Sequence, residues 1–365
     1  MMVFMTGIYP ELKKMRVNKI MKNNIIVSRK AQLLEKVVII DGLPGCGKTL
    51  FSPIVATLDR VELLNFAYEL EHTCALHHLG KMPLDAARTM IKLQTDMKIY
   101  NTMMGREVNF RPTDQSSAIQ DHNPSRYFQR LFQPGDEAIP DIIRQDKPIL
   151  NLTTHQLLGF SEPIWKGLGD RCVFIEIVRH PLYMFRQQLN NEKNLFGKER
   201  DFDLAYLYDG KQVPFYTFGW EREYLDSNES EMVIHYFNHL TRRTENAKKN
   251  IKNGAIVITI PFEKFVLDPE SWIEKISHAL GTEVTNSTKI AMQKQNVPRD
   301  KISQSIDTPL YRRCGWKPPI EGASERDELM LRRYEVKQNV SHEAMRILDN
   351  LCHSYEEKYW NPDSL

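Results

Sequence analysis

Val37-Val-Ile-Ile-Asp41-Gly42-Leu-Pro-Gly-Cys-Gly-Lys48-Thr49 is the stretch from which the fold follows. The β-branched run Val37–Ile40 suits a strand buried on both faces of a parallel sheet. Asp41 reads as a turn residue, and Gly42–Thr49 then satisfies GxxxxGK[ST] in full. Glycines at 42, 45 and 47 let the backbone curl until successive N–H groups point inward at phosphate oxygens. A helix expected over 48–58 turns its positive end toward the same anion. Pro53 falls in its first turns, where proline is tolerated. Lys48 adds a mobile positive charge where charge builds up during group transfer. Thr49 can bond a phosphate or a Mg²⁺ ion. Nucleotide contacts are therefore expected from Gly42, Pro44, Gly45, Cys46, Gly47, Lys48, Thr49 and Leu50. Cys46 is read as a small loop residue and not a nucleophile, because nothing in this chemistry needs a thiolate.

Working outward, strands are expected at Val61–Leu64, Pro148–Leu152, Cys172–Val178 and Ala255–Ile260. Helical patterns lie between or after them at 83–104, 182–193, 230–252, 269–280 and 341–358. Strands alternating with helices imply right-handed crossovers. The expected fold is α/β: a three-layer P-loop NTPase-like fold with a central parallel sheet and helices on both faces. Residues 1–36 carry eight basic and two acidic side chains and read as a basic, flexible extension. Residues 37–365 read as a single domain with insertions at about 60–130 and 194–228. Residues 294–327, rich in proline, read as a further irregular loop.

Composition narrows the function classes. Lys plus Arg is 49 and Asp plus Glu is 47, a net charge of +2. That balance gives no support for nucleic-acid or membrane-surface binding. The cysteines, Cys46, Cys74, Cys172, Cys314 and Cys352, are odd in number and lack CxxC spacing, so they read as reduced thiols. No run approaches the roughly 18 apolar residues of a membrane span. No signal-peptide core is visible at the N-terminus, and a cytoplasmic location is expected. His72, His77 and His78 do not sit with acids at ligand spacing, so no metal site is expected.

The loop alone does not say which group moves. An ATP- or GTP-dependent kinase needs an acid at the tip of a neighbouring strand to hold Mg²⁺. The tip of Cys172–Val178 carries Arg179 instead, and Glu176 lies mid-strand. From Arg179 onward the chain resembles the sulfotransferase family, whose members use 3′-phosphoadenosine-5′-phosphosulfate (PAPS) without a metal. Their Arg-x-Pro after a strand is matched by Arg179-His180-Pro181, which implies that Arg179 binds the 3′-phosphate. The family's phosphate-sharing serine on the following helix is Gln187 here. Pro148-Ile-Leu-Asn-Leu-Thr-Thr154-His155 resembles the family's strand ending in Lys-Thr-His, which makes His155 the implied catalytic base. The family's lysine is Thr153 here. Ile260–Asp268-Pro269 and the helix beyond it resemble a structural segment of the family. Tyr311-Arg312-Arg313-Cys-Gly315-Trp316-Lys317 resembles its late arginine loop, implying that Arg312 and Arg313 contact the nucleotide.

The resemblance spans about 37–360, in the family's order. It implies sulfuryl transfer from PAPS to a hydroxyl or amine acceptor, with Lys48 and His155 catalytic. In one respect the loop departs from the family, which places its lysine where Gly45 stands. A kinase or NTPase using ATP with Mg²⁺ is therefore the alternative reading. The partners implied are a nucleotide donor and an acceptor bound by the insertions. Phe215, Tyr216, Phe218, Trp220 and Tyr224 read as cover for the site or local packing, or as a stacking surface for the acceptor.

Overall fold

The computed structural model describes residues 25–252, 254–302, 304, 322–360 and 362. Its strands are β1 (Lys36–Asp41), β2 (Asn65–Phe66), β3 (Ile149–Thr153), β4 (Cys172–Val178), β5 (Ala205–Tyr208), β6 (Lys211–Pro214) and β7 (Ile256–Pro261). Helices α1 to α6 span Lys48–Val55, Tyr68–His78, Leu84–Met104, Pro124–Arg130, Ile139–Asp146 and Glu162–Leu168. Next come α7 (Pro181–Asn194), α8 (Glu221–Asp226) and α9 (Glu229–Asn250). The remainder are α10 (Phe262–Leu267), α11 (Glu270–Leu280), α12 (Asn286–Lys294), α13 (Glu325–Lys337) and α14 (His342–Lys358).

Five strands form one parallel sheet in the order β2-β3-β1-β4-β7. Val37–Ile40 are fully buried, as are Phe174 and Ile175 opposite Ile39 and Ile40. A strand with apolar residues facing both ways must be covered on both sides, and helices flank this sheet. Helix α9 packs with α7 and α14; α3 packs with α2, α5 and α6. The parallel α/β architecture expected from the alternation of runs is the one found.

Three expectations about elements need correction. The run Val61–Leu64 is buried but is not a strand. Val61 makes a single bridge to Ile149, and Leu63 N–H donates to Tyr127 Oη at 2.8 Å instead of entering the ladder. Glu62 between them accepts bonds from Arg130 at 2.7 and 2.8 Å. A buried carboxylate demands such partners, and their geometry overrides pairing. Helix α1 ends at Val55, not 58; Thr57 Oγ1 donates to Ile54 O at 2.6 Å and caps the turn. The 194–228 stretch contains an antiparallel hairpin, β5–β6, and helix α8. Asp209 and Gly210 take φ of 48° and 75°, the paired left-handed residues of a tight two-residue turn.

The extension also differs from its reading. Residues 1–24 lie outside the described residues, but 25–35 are docked. The N–H groups of Leu33 and Leu34 both donate to Asp96 Oδ1 at 3.0 Å, and Arg29 pairs with Asp96 Oδ2 at 2.7 Å. Leu34 is buried beside them.

Candidate active site

The phosphate loop runs from the end of β1 into α1. Gly45 and Gly47 take φ of 90° and 110°, where L side chains are strained. A Cβ on Gly47 would lie 2.3 Å from the Phe262 ring, so glycine is required there twice over. Cys46 N–H donates to Leu43 O at 3.1 Å, and Leu50 N–H donates to Gly47 O at 3.0 Å. Among the described residues the amides of Gly45, Gly47, Lys48 and Thr49 have no acceptor in the protein. Four unsatisfied donors at a helix start form a cradle for an anion. Lys48 Nζ is folded back onto the carbonyls of Gly42 and Leu43. Cys46 is buried, and burial pushes its thiol up from the ordinary range, so it stays protonated.

His155 follows directly on the tip of β3. Asp41, expected to make a turn, is instead buried and accepts Thr154 Oγ1 at 2.8 Å, Leu157 N–H at 2.9 Å and Leu158 N–H at 2.8 Å. One carboxylate thus ties the chain around His155 to the base of the phosphate loop. The His155 backbone N–H donates to Glu71 Oε1 at 2.7 Å, and its Nδ1 lies 3.2 Å from the same oxygen. A carboxylate can only accept, so Nδ1 carries the proton and Nε2 is left as the basic nitrogen. Phe66 and Tyr68 flank the imidazole, with ring centroids 6.4 and 5.9 Å away. Glu71 lies on α2, 84 positions from His155, and sequence reasoning did not find it.

Arg179 leaves the tip of β4 and donates through Nη1 to Gly45 O at 3.0 Å. Its guanidinium lies over the Phe262 ring at 4.2 Å, and its Nε is buried without a partner. His180 then caps α7, its Nδ1 accepting Leu182 N–H at 3.3 Å, and Pro181 opens the helix where no N–H is needed. The two acids nearest the loop on these strands are both committed. Glu176 accepts Lys248 Nζ at 2.8 Å and Thr259 Oγ1 at 2.5 Å; Asp41 is saturated as above.

Most of the expected site residues meet in one open pocket of about 250 Å³. Pro44, Gly45, Gly47, Lys48 and Thr49 form one wall, and His155, Arg179 and Gln187 close it. Gly42 and Cys46 lie behind this wall, and Leu50 points into the core. Their expected contribution is reduced to shaping the loop. Arg312 and Arg313 lie outside the described residues. Phe215, Tyr216, Trp220 and Tyr224 are buried packing residues and do not line the pocket. The far side of the pocket is formed by Tyr68 and by Phe202 and Asp203, which lie in the two insertions expected to hold the acceptor but were not singled out in the sequence. Burial first, then nearby Glu71, pushes the Asp203 carboxyl up to about 6.

Comparison with known proteins finds no matching family model and no matching curated protein. Similar solved structures are sulfotransferases. A sulfotransferase domain from the curacin biosynthetic pathway is 13% identical over 87% of this chain and 98% of its own, with a TM-score of 0.40. The sulfotransferase domain of a Synechococcus olefin synthase is 11% identical over 86% and 98%, with a TM-score of 0.38. A mouse sulfotransferase complexed with PAP is 12% identical over 96% and 93%, with a TM-score of 0.37. Values this low leave the chemistry to be read from the pocket itself.

Proposed function

We propose that this protein transfers a sulfuryl group from PAPS to a hydroxyl acceptor. The observation that carries the reading is Arg179. A guanidinium occupies the strand tip where a metal-holding acid is needed for NTP chemistry, and it faces the same pocket as the phosphate loop. Such a pocket suits a nucleotide with phosphates on two sides of its ribose. The loop amides and Lys48 hold the 5′ side; Arg179 and Gln187 hold the 3′-phosphate, Arg179 by charge-assisted bonds. The buried, unpartnered Nε of Arg179 and the four open amides fit that ligand.

Bound there, PAPS supplies an activated sulfuryl group; the chain supplies the rest. His155 Nε2 takes the acceptor proton, a contribution of roughly 10²–10⁴-fold in rate. Glu71 holds the imidazole in the tautomer that makes Nε2 basic. Lys48 and the loop amides stabilise the charge that grows on the oxygen bridging to the 5′-phosphate. As the acceptor O–S bond forms, the S–O bond to that phosphate breaks, and 3′,5′-adenosine bisphosphate (PAP) leaves.

The full Walker-type spacing of Lys48 favours one other reading, phosphoryl transfer from ATP with Mg²⁺. Thermal unfolding separates the two. PAP without Mg²⁺ is expected to raise Tm more than ATP with Mg²⁺ does, and Arg179→Ala to abolish most of that gain. If ATP with Mg²⁺ gives the larger shift, the phosphoryl reading replaces the sulfuryl one.

A further inference from the structure

The pocket has two ends of opposite electrostatic demand. Lys48, Arg179 and the open amides ask for an anion. At the His155 end the titratable groups that act most on Asp203 are Glu71, His155, Asp201 and His72. Asp203 is partly buried, and among the described residues no cation lies within ion-pair distance of its carboxylate; Arg200 lines the same pocket without pairing with it. Its one hydrogen bond comes from Gln156 Nε2 at 3.5 Å, the outer limit of such a contact.

The surrounding loop is built to keep Asp203 there. Asp201 accepts the Asp203 N–H at 3.0 Å and the Gly197 N–H at 2.8 Å. His72 Nε2 lies 2.7 Å from Phe202 O, which fastens the loop to α2. Tyr236 donates to Gln156 Oε1, so the Gln156 amide turns its NH₂ toward Asp203. Next to this carboxylate stand the rings of Tyr68 and Phe202, in edge contact at 5.9 Å. Phe202 lines the pocket and is 60% exposed, so its ring is accessible to a ligand. A carboxylate without a counter-ion beside open aromatic faces is a site for an organic cation.

We propose that the acceptor is a hydroxyl compound bearing a protonated amine, held by Asp203 against Tyr68 and Phe202 while its hydroxyl faces His155 Nε2. This rests on the sulfuryl-transfer reading and adds the acceptor's chemical class to it. The transferred group and the proton move as described above; the ammonium takes no part in bond making and serves to place the hydroxyl.

Calorimetric titration of the PAP-bound protein with matched probes tests this: tyramine against 4-ethylphenol, and glucosamine against glucose. At least one amine is expected to bind about tenfold or more tightly than its neutral partner. Asp203→Asn should shrink that gap to under about threefold while PAP affinity is retained, and Phe202→Ala should shrink it in part. Retained PAP affinity shows that each variant is folded. Equal binding within every pair, no binding by either amine, or a gap that survives Asp203→Asn overturns the proposal. Failure of the unaltered protein to bind PAP at all strikes the sulfuryl-transfer reading instead.

Discussion

Glu71 touches no reacting atom in the proposed chemistry, yet it fixes which nitrogen of His155 can act. Replacing it by glutamine keeps the size and one acceptor oxygen but removes the charge that favours the imidazolium during proton transfer. Glu71→Gln is expected to lower kcat about 10–100-fold. PAP affinity should stay within about twofold, because the amide cradle is untouched. Steady-state kinetics beside PAP titration reads this split; equal losses in both would make Glu71 a structural residue only. No pattern in the chain pointed to Glu71 or Asp203. Each is an ordinary acid in a polar stretch, and only the crossing of α2 and the 195–204 loop over the tip of β3 gives them a role. Lys48 was expected from the GxxxxGK[ST] spacing, and His155 and Arg179 were implied by the resemblance of their segments to sulfotransferase motifs; the structure brings all three to one pocket.

Among the elements, α7 carries a second partly buried carboxyl, Glu192. Burial pushes Glu192 up to about 7 against an ordinary 4.5, with weak bonds from Gln188 and Tyr224 at 3.4 Å opposing it. A carboxyl whose folded value is raised favours the fold below about 4.5, and that contribution is lost as pH rises through about 7. Glu192→Gln removes the titration. It should raise Tm at pH 8 by about 2 °C, with no gain at pH 4.5. A pH-independent change in scanning calorimetry would contradict this origin. Helix α9 was readable from the apolar spacing of Val233, Ile234, Tyr236, Phe237 and Leu240. Helix α2 was not, because its buried positions mix Glu71, Thr73 and Cys74 with Leu70 and Ala75. The β5–β6 hairpin did leave a sign, Asp209-Gly210 after the apolar run Ala205–Tyr208, but the aromatic and polar residues around it read as a loop.

For the molecule as a whole, Asp96 makes three of the bonds that fasten the N-terminal segment to α3; Asp85 accepts the Val27 N–H at 2.9 Å and Thr89 Oγ1 donates to Val27 O at 3.0 Å. Asp96→Ala frees Arg29 and leaves the Leu33 and Leu34 amides without acceptors, a loss of roughly 3 kcal/mol. Trypsin cleavage after Arg29 and Lys30 should then quicken about tenfold, while PAP binding persists. Unchanged proteolysis would mean that Leu34 burial and the Val27 bonds to Asp85 and Thr89 hold the segment without Asp96. The parallel sheet itself was foreseeable, since buried β-branched runs separated by helical patterns admit few other arrangements. Its strand order carries a further consequence. Strand β1, which leads into the phosphate loop, lies between β3, which ends two residues before His155, and β4, which ends one residue before Arg179. Hydrogen-bonded strands stand about 4.8 Å apart, so the two outer tips are held about 10 Å from each other. The ladder therefore works as a ruler between the proposed base and the proposed clamp. Loop changes can alter what touches a ligand, but the span a donor must bridge is written into the pitch of the backbone.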